Sequence, residues 1–249
     1  MRRAVDILGI PVDALEWDEA LDLVTGWLLR RQGPAAHVVT ANPEMIVRAH
    51  GDARLRHVLR AAELVVPDGT GVVWAARVLG RPVPGRIAGI DLTTALLGRA
   101  AESGRQVFFL GAEPGIAEQA AARLRERLPQ LRIAGWHHGY FSQDRNGDVI
   151  ERINASGADL LLVAMGVPRQ ELWIADNRDR LNVKVAIGVG GAFDVFAGKV
   201  RRAPAWLQRL GLEWAYRVIK EPRRVRRLGA LPRFVWRTLR AARRERGRM

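Results

Sequence analysis

The sequence predicts an α/β domain with a Rossmann-like, largely parallel sheet and helices on both faces, extended by a basic helical C-terminal appendage. Three observations carry this. Short apolar runs alternate with segments of helical period through the first 200 residues, the pattern of βαβ units. The length of 249 residues and the 48% hydrophobic content suit one large domain with an addition. The charge is segregated: residues 201–249 hold 16 of the 40 Lys+Arg and 3 of the 26 Asp+Glu, a net +13, which leaves +1 for residues 1–200. The boundary is therefore placed at 200, with an α/β body (1–200) before it and a basic amphipathic segment (201–249) after it.

The elements follow in order. Asp13-Ala14-Leu15-Glu16 reads as a capping box for a helix to about Arg31, with Trp17, Leu21, Val24 and Leu28 on its buried face. His37-Val38-Val39-Thr40 reads as a strand, and Asn42-Pro43 as the N-cap and first residue of a helix to about His50. Leu64-Val65-Val66 closes a second strand. Pro67-Asp68-Gly69 then turns the chain, and Thr70-Gly71 leads into a helix. Asp91 is expected to cap a helix to about Ser103. A strand over 107–110, a glycine-rich turn over 111–115, a helix over 116–128 and a strand over 131–134 come next. Asp144 to Asp148 resembles part of a calcium loop but lacks its distal glutamate, so it reads as a turn and helix start. Strands over 159–165 and 184–189 flank a helix around 172–180.

Composition removes several chemistries. With no cysteine there is no disulfide, thiolate metal site or Cys nucleophile. The N-terminus carries early acids and no apolar h-region, and no apolar run reaches the ~18–20 residues of a membrane span. The expected location is the cytoplasm. His137-His138 has no third ligand at a telling spacing and reads as an ordinary loop. No metal or cofactor is expected.

Asn42, Asp68, Gly111, Gln170 and Asp194 all follow strands, so all should face the carboxyl edge of the sheet, where ligands of open α/β sheets bind. Two of these, and Arg86, have a second explanation. Asn42 can be only a cap, Asp68 only a turn residue, and Arg86, one helix later, only a solvated charge. In the appendage, Trp206, Leu210, Trp214 and Val218 form one apolar stripe. Leu228, Leu231, Val235 and Leu239 form another, interrupted by Pro232. Basic helices with such stripes suit a membrane interface; the alternative is that the stripes pack on the body.

The ordered series Thr40-Ala41-Asn42-Pro43-Glu44, Pro67-Asp68-Gly69, Arg86 with Gly89-Ile90-Asp91, Leu110-Gly111, Gly166-Val167-Pro168-Arg169-Gln170-Glu171, Gly190-Gly191-Ala192-Phe193-Asp194, Arg202-Ala203-Pro204 and Leu212-Glu213-Trp214 with Tyr216-Arg217 resembles one known family. This is the inverting bacterial glycosyltransferases that include the N-acetylmannosaminyltransferases of wall teichoic acid and the N-acetylmannosaminuronic acid transferases of enterobacterial common antigen. The resemblance implies transfer from a UDP-sugar to a polyprenyl-diphosphate-linked N-acetylglucosamine at the inner membrane face, with N-acetylmannosamine, its uronic acid or glucose as the sugar. It implies Asp68 as general base and Thr40, Asn42, Arg86 and Gln170 as substrate-binding residues. Gly111, Tyr140, Gly191 and Asp194 fall where the nucleotide is expected, and Arg217, Arg224 and Arg227 match arginines that reach the diphosphate. The partners so implied are the donor, the lipid acceptor and an anionic membrane surface, with no nucleic acid; a homo-oligomer is left open.

The chemistry is consistent with these residues. An inverting transfer needs a base for the acceptor hydroxyl and positive charge on the leaving diphosphate. The sequence has no Asp-X-Asp pair, so arginines are expected to supply that charge in place of a metal. Two rival readings are an NAD(P)-dependent oxidoreductase, from Gly188-Val189-Gly190-Gly191-Ala192-Phe193, and a nucleic-acid-binding protein, from the tail charge.

Overall fold

Six strands form one sheet: β3 (Ala36–Ala41), β4 (Leu64–Pro67), β5 (Gln106–Gly111), β6 (Arg132–His137), β7 (Leu160–Ala164) and β8 (Val185–Gly188). The computed structural model describes residues 3–30, 33–209, 211–220 and 229–246. The strand order is β4-β3-β8-β7-β5-β6, and every pairing is parallel. This order differs from that of the dinucleotide-binding sheet, although both faces carry helices. The strands are apolar at successive positions because both faces are covered. Val38, Leu64, Phe109, Leu162 and Ile187 pack one way, against α1 (Trp17–Leu29), α5 (Gly89–Glu102), α6 (Ile116–Arg127) and α9 (Ala192–Phe196). Val39 and Val65 pack the other way, against α2 (Pro43–Gly51), α3 (Ala53–Ala61) and α4 (Thr70–Val78). On that same side α7 (Asn146–Ala155) and α8 (Arg169–Asn177) cover Phe108, Leu161 and Ala186.

Several expectations need correcting. A hairpin, β1 (Ala4–Ile7) and β2 (Ile10–Asp13), precedes the first helix. Asp13 does not cap that helix. It ends β2, buried, and its carboxylate accepts the Val65 N–H at 2.7 Å, tying the hairpin to β4. The capping box is one turn later: Glu16 receives the N3 amide, and the Glu19 carboxylate receives the Glu16 N–H at 2.8 Å. Asp91 does not cap α5 either, because that helix starts at Gly89 and Asp91 lies in its first turn.

After residue 200 come α10 (Ala205–Arg209), α11 (Glu213–Lys220) and α12 (Ala230–Arg246). The side of α12 that packs on the body is not the expected apolar stripe. Phe234, Thr238 and Ala242, four residues apart, are the buried side of α12, and Phe234 and Ala242 join the apolar cluster of α2 and α4. Val235 and Leu239, from the expected stripe, are 40% and 43% exposed on another side. Pro232 does not interrupt the helix, because it falls in the first turn, where its missing N–H has no partner to lose. Trp206, Trp214 and Trp236 are all exposed. Leu210, Pro222 and Leu228 lie outside the described residues. Among the described residues no helix is long and apolar enough to cross a membrane.

Candidate active site

Parallel strands put all their carboxyl ends at one edge, and a cleft of about 460 Å³ opens there over β4 and β3. Its polar floor holds Thr40 and Asn42 from the end of β3, Asp68 from the end of β4, and Arg86 from the loop before α5. Its opposite wall comes from beyond residue 200: Glu213, Trp214 and Val218 of α11, and Leu231 and Val235 of α12. Sequence analysis brought Asn42, Asp68 and Arg86 to one edge and took Thr40 from the resemblance; the structure brings the four to one cleft.

Local folding fixes each of them. The Asp68 N–H donates to the Ala41 carbonyl at 2.9 Å, which continues the β3–β4 pairing beyond Pro67. The Asp68 carboxylate accepts the Gly89 N–H at 2.9 Å. That amide opens α5, where free N–H groups and the helix dipole favour an anion. Arg86 donates from Nε to the Asp68 carbonyl at 2.5 Å, and its Nη2 lies 3.8 Å from the Asp68 carboxylate and 3.1 Å from that of Glu213. Asn42 caps α2, its Oδ1 accepting the Met45 N–H at 3.0 Å, and it also lines the cleft. Its two readings are therefore compatible.

Gln170 is placed differently. It is buried beneath the loops rather than lining the cleft. Its Oε1 accepts the N–H groups of Gly166 and Gly190 at 3.1 and 3.0 Å, and its Nε2 donates to Glu171 Oε1 at 2.7 Å. The amide thus pins the loops after β7 and β8 together. Gly188 makes room for it, since a Cβ there would collide with Gln170 Nε2. Burial pushes the Glu171 carboxyl up to about 7, against the smaller opposing effect of its bond from Gln170.

Four of the expected nucleotide residues, Gly111, Tyr140, Gly191 and Asp194, stand at the same edge but do not line this cleft. Gly111 ends β5 with φ +127°, and a Cβ on it would collide with the Ala164 backbone. Gly191 caps α9, and Asp194 in that helix lies 3.9 Å from Lys199 Nζ. Tyr140, beyond β6, is exposed beside a recess of about 340 Å³ that also involves His137, His138, Arg145 and Arg152. Arg217 belongs to α11, but its side chain, like Arg224 and Arg227 entirely, lies outside the described residues. Among the described residues no three His, Asp or Glu side chains converge as a metal ion would require.

Comparison with known proteins decides the family. The family model described as "Glycosyl transferase WecG/TagA/CpsF family" matches residues 5–248. The chain belongs to this glycosyltransferase family. A WecG/TagA/CpsF relative from Bacillus spizizenii (strain W23) is 41% identical over 204 residues, 82% of this chain and 79% of its own. One from Staphylococcus aureus (strain MRSA252) is 35% identical over 239 residues, 96% and 93% of the two chains. One from Bacillus subtilis (strain 168) is 38% identical over 199 residues, 80% and 77%. All three are named N-acetylglucosaminyldiphosphoundecaprenol N-acetyl-beta-D-mannosaminyltransferase. Membership of the WecG/TagA/CpsF family favours sugar transfer over both rival readings.

Sequence reasoning passed over Glu213, which it quoted only within a motif. The signal was there: Glu213 is the one acid among residues 201–220, beside five Lys and Arg. An isolated acid in a basic segment marks a specific partner.

Proposed function

We propose that this glycosyltransferase moves N-acetylmannosamine from its UDP-sugar to undecaprenyl-diphosphate-linked N-acetylglucosamine, with inversion, at the inner face of the cell membrane. One observation carries the reading: a carboxylate oriented by a helix-opening amide stands beside a guanidinium, in a cleft whose other wall is apolar apart from Glu213. In the proposed reaction Asp68 takes the proton of the acceptor hydroxyl as its oxygen bonds to the anomeric carbon. The bond from that carbon to the diphosphate breaks, and UDP leaves with the electron pair. Arg86 and the appendage arginines Arg217, Arg224 and Arg227 stabilise the departing charge. Thr40 and Asn42 hold the sugar. Gln170 acts through the loops it pins, and Gly111, Tyr140, Gly191 and Asp194 serve the nucleotide.

Residues 1–200 are the catalytic body in this reading, and residues 201–249 both complete the cleft and rest on anionic lipid. The exposed tryptophans and the +13 charge of that segment support membrane contact. The test is a donor screen with the purified protein, a lipid-diphosphate N-acetylglucosamine analogue and a panel of UDP-sugars. UDP-N-acetylmannosamine should be used best. Faster transfer of glucose or of the uronic acid would reassign the donor, and no transfer from any of them would overturn the reading.

A further inference from the structure

Five charged side chains beside the cleft form one row of alternating sign. Asp91, in the first turn of α5, receives Arg202 Nη1 and Nη2 on its two oxygens at 2.5 and 2.7 Å. Arg202 Nε lies 3.4 Å from Glu213 Oε1. Glu213 Oε2 accepts from Arg86 Nη2 at 3.1 Å, and Arg86 stands next to Asp68. Arg202 and Glu213 come from beyond residue 200; Asp91, Arg86 and Asp68 belong to the body. Glu213 is only 5% exposed. A carboxylate so buried needs both oxygens matched, and here each meets a different guanidinium. The seat is steric as well. Gly211, at φ +72°, lies so close to α4 that a Cβ on it would stand 2.5 Å from Thr70 Cγ2.

We propose that Glu213 is a positioning residue for the transfer: it registers α11 on the body and draws the Arg86 guanidinium away from the Asp68 carboxylate. The inference rests on Asp68 being the base. A guanidinium paired directly with that carboxylate would favour its ionised form and weaken it as a proton acceptor. Glu213 competes for the same Nη2 at the shorter distance, 3.1 against 3.8 Å. Seating of the appendage and readiness of the base then become one event. Without Glu213, Arg86 turns to Asp68 and the wall of the cleft loses its register.

The test uses the full chain with Glu213→Gln, which keeps the size and removes the charge, and Glu213→Asp, which keeps the charge. Two readouts are needed. The first is kcat and donor KM on a water-soluble acceptor. Glu213→Gln should lower kcat on the order of 10²-fold, the scale of a ~1 Å misplacement, with donor KM little changed and partial recovery in Glu213→Asp. The second is hydrogen exchange of the α11 amides, which needs no donor. Exchange should speed up in Glu213→Gln while the β3 and β4 amides and binding to phosphatidylglycerol vesicles stay as in the wild type. Wild-type kcat, or unchanged α11 exchange, would overturn the proposal. If Glu213→Gln does not fold, Gly211→Val tests the same seat from the Thr70 side, with the same two outcomes. An inactive wild-type protein would instead defeat the functional reading, and the exchange result would still decide whether Glu213 seats α11.

Discussion

The Asp68 carboxylate accepts the Gly89 N–H at 2.9 Å, so the first amide of α5 holds the side chain that ends β4. Two elements separated by α4 and a loop meet in one hydrogen bond, and that bond sets which way the carboxylate faces the cleft. An asparagine oxygen can accept the same amide. Asp68→Asn should therefore fold and bind UDP normally, yet turn over roughly 10²-fold more slowly or worse, the usual scale for losing a general base. Near-normal turnover in the folded variant would return Asp68 to the status of a turn residue.

EDTA should leave transfer intact, since the proposed mechanism places arginine charge where a metal would otherwise stand. The measurement is initial rate after chelation and again after adding Mg²⁺ or Mn²⁺. Loss of activity that a divalent ion restores would contradict the mechanism.

Glu171 gives a pH dependence with a definite sign. Burial raises its carboxyl from 4.5 to about 7, so the folded state holds a proton that the unfolded state releases. Its stabilising contribution is complete below about 4.5 and is lost as pH rises toward 7. Glu171→Gln cannot ionise, and its amide oxygen can still accept from Gln170. In urea denaturation the variant should match the wild type near the acid end of that range and become the more stable of the two as pH passes 7. Parallel stability curves across the range would show that the burial is not felt.

The two sides of α12 should separate by mutation. Phe234→Ala empties a packed site and should cost roughly 3–5 kcal/mol in denaturant unfolding. Trp236→Ser, at a side chain 58% exposed, should leave stability within about 0.5 kcal/mol and weaken co-sedimentation with anionic vesicles. Salt should weaken the wild-type interaction as well. Equal vesicle binding by wild type and Trp236→Ser would remove that side from the membrane contact.

Sheet and helices were legible because their signals are local. Val38-Val39 and Val65-Val66 are apolar in succession, and Asn42-Pro43 caps and starts α2 as those residue types do. The N-terminal hairpin was not legible: its turn is Leu8-Gly9, both at positive φ, where the recognisable pair would carry Asn or Asp first. Asp13 looked like a cap because its partner, the Val65 amide, is 52 residues away. Gln170 showed the same limit. Its place after a strand was read correctly, but only the fold reveals that Gly166 and Gly190 occupy its oxygen. Glu213 was the largest omission, since its guanidinium partner Arg86 is 127 residues earlier.

The buried row of α12 has a mechanical consequence. Phe234 and Ala242 fix the helix to α2 and α4, and the N-terminal ends of those two helices, at Asn42 and Gly69, rim the cleft. The side that carries Trp236 and Leu239 therefore stands at a height relative to the cleft that this packing sets. On a bilayer, α12 would act as a ruler. It would set the depth of Asp68 above the lipid, and with it the headgroup length of the acceptor that the proposed transfer favours.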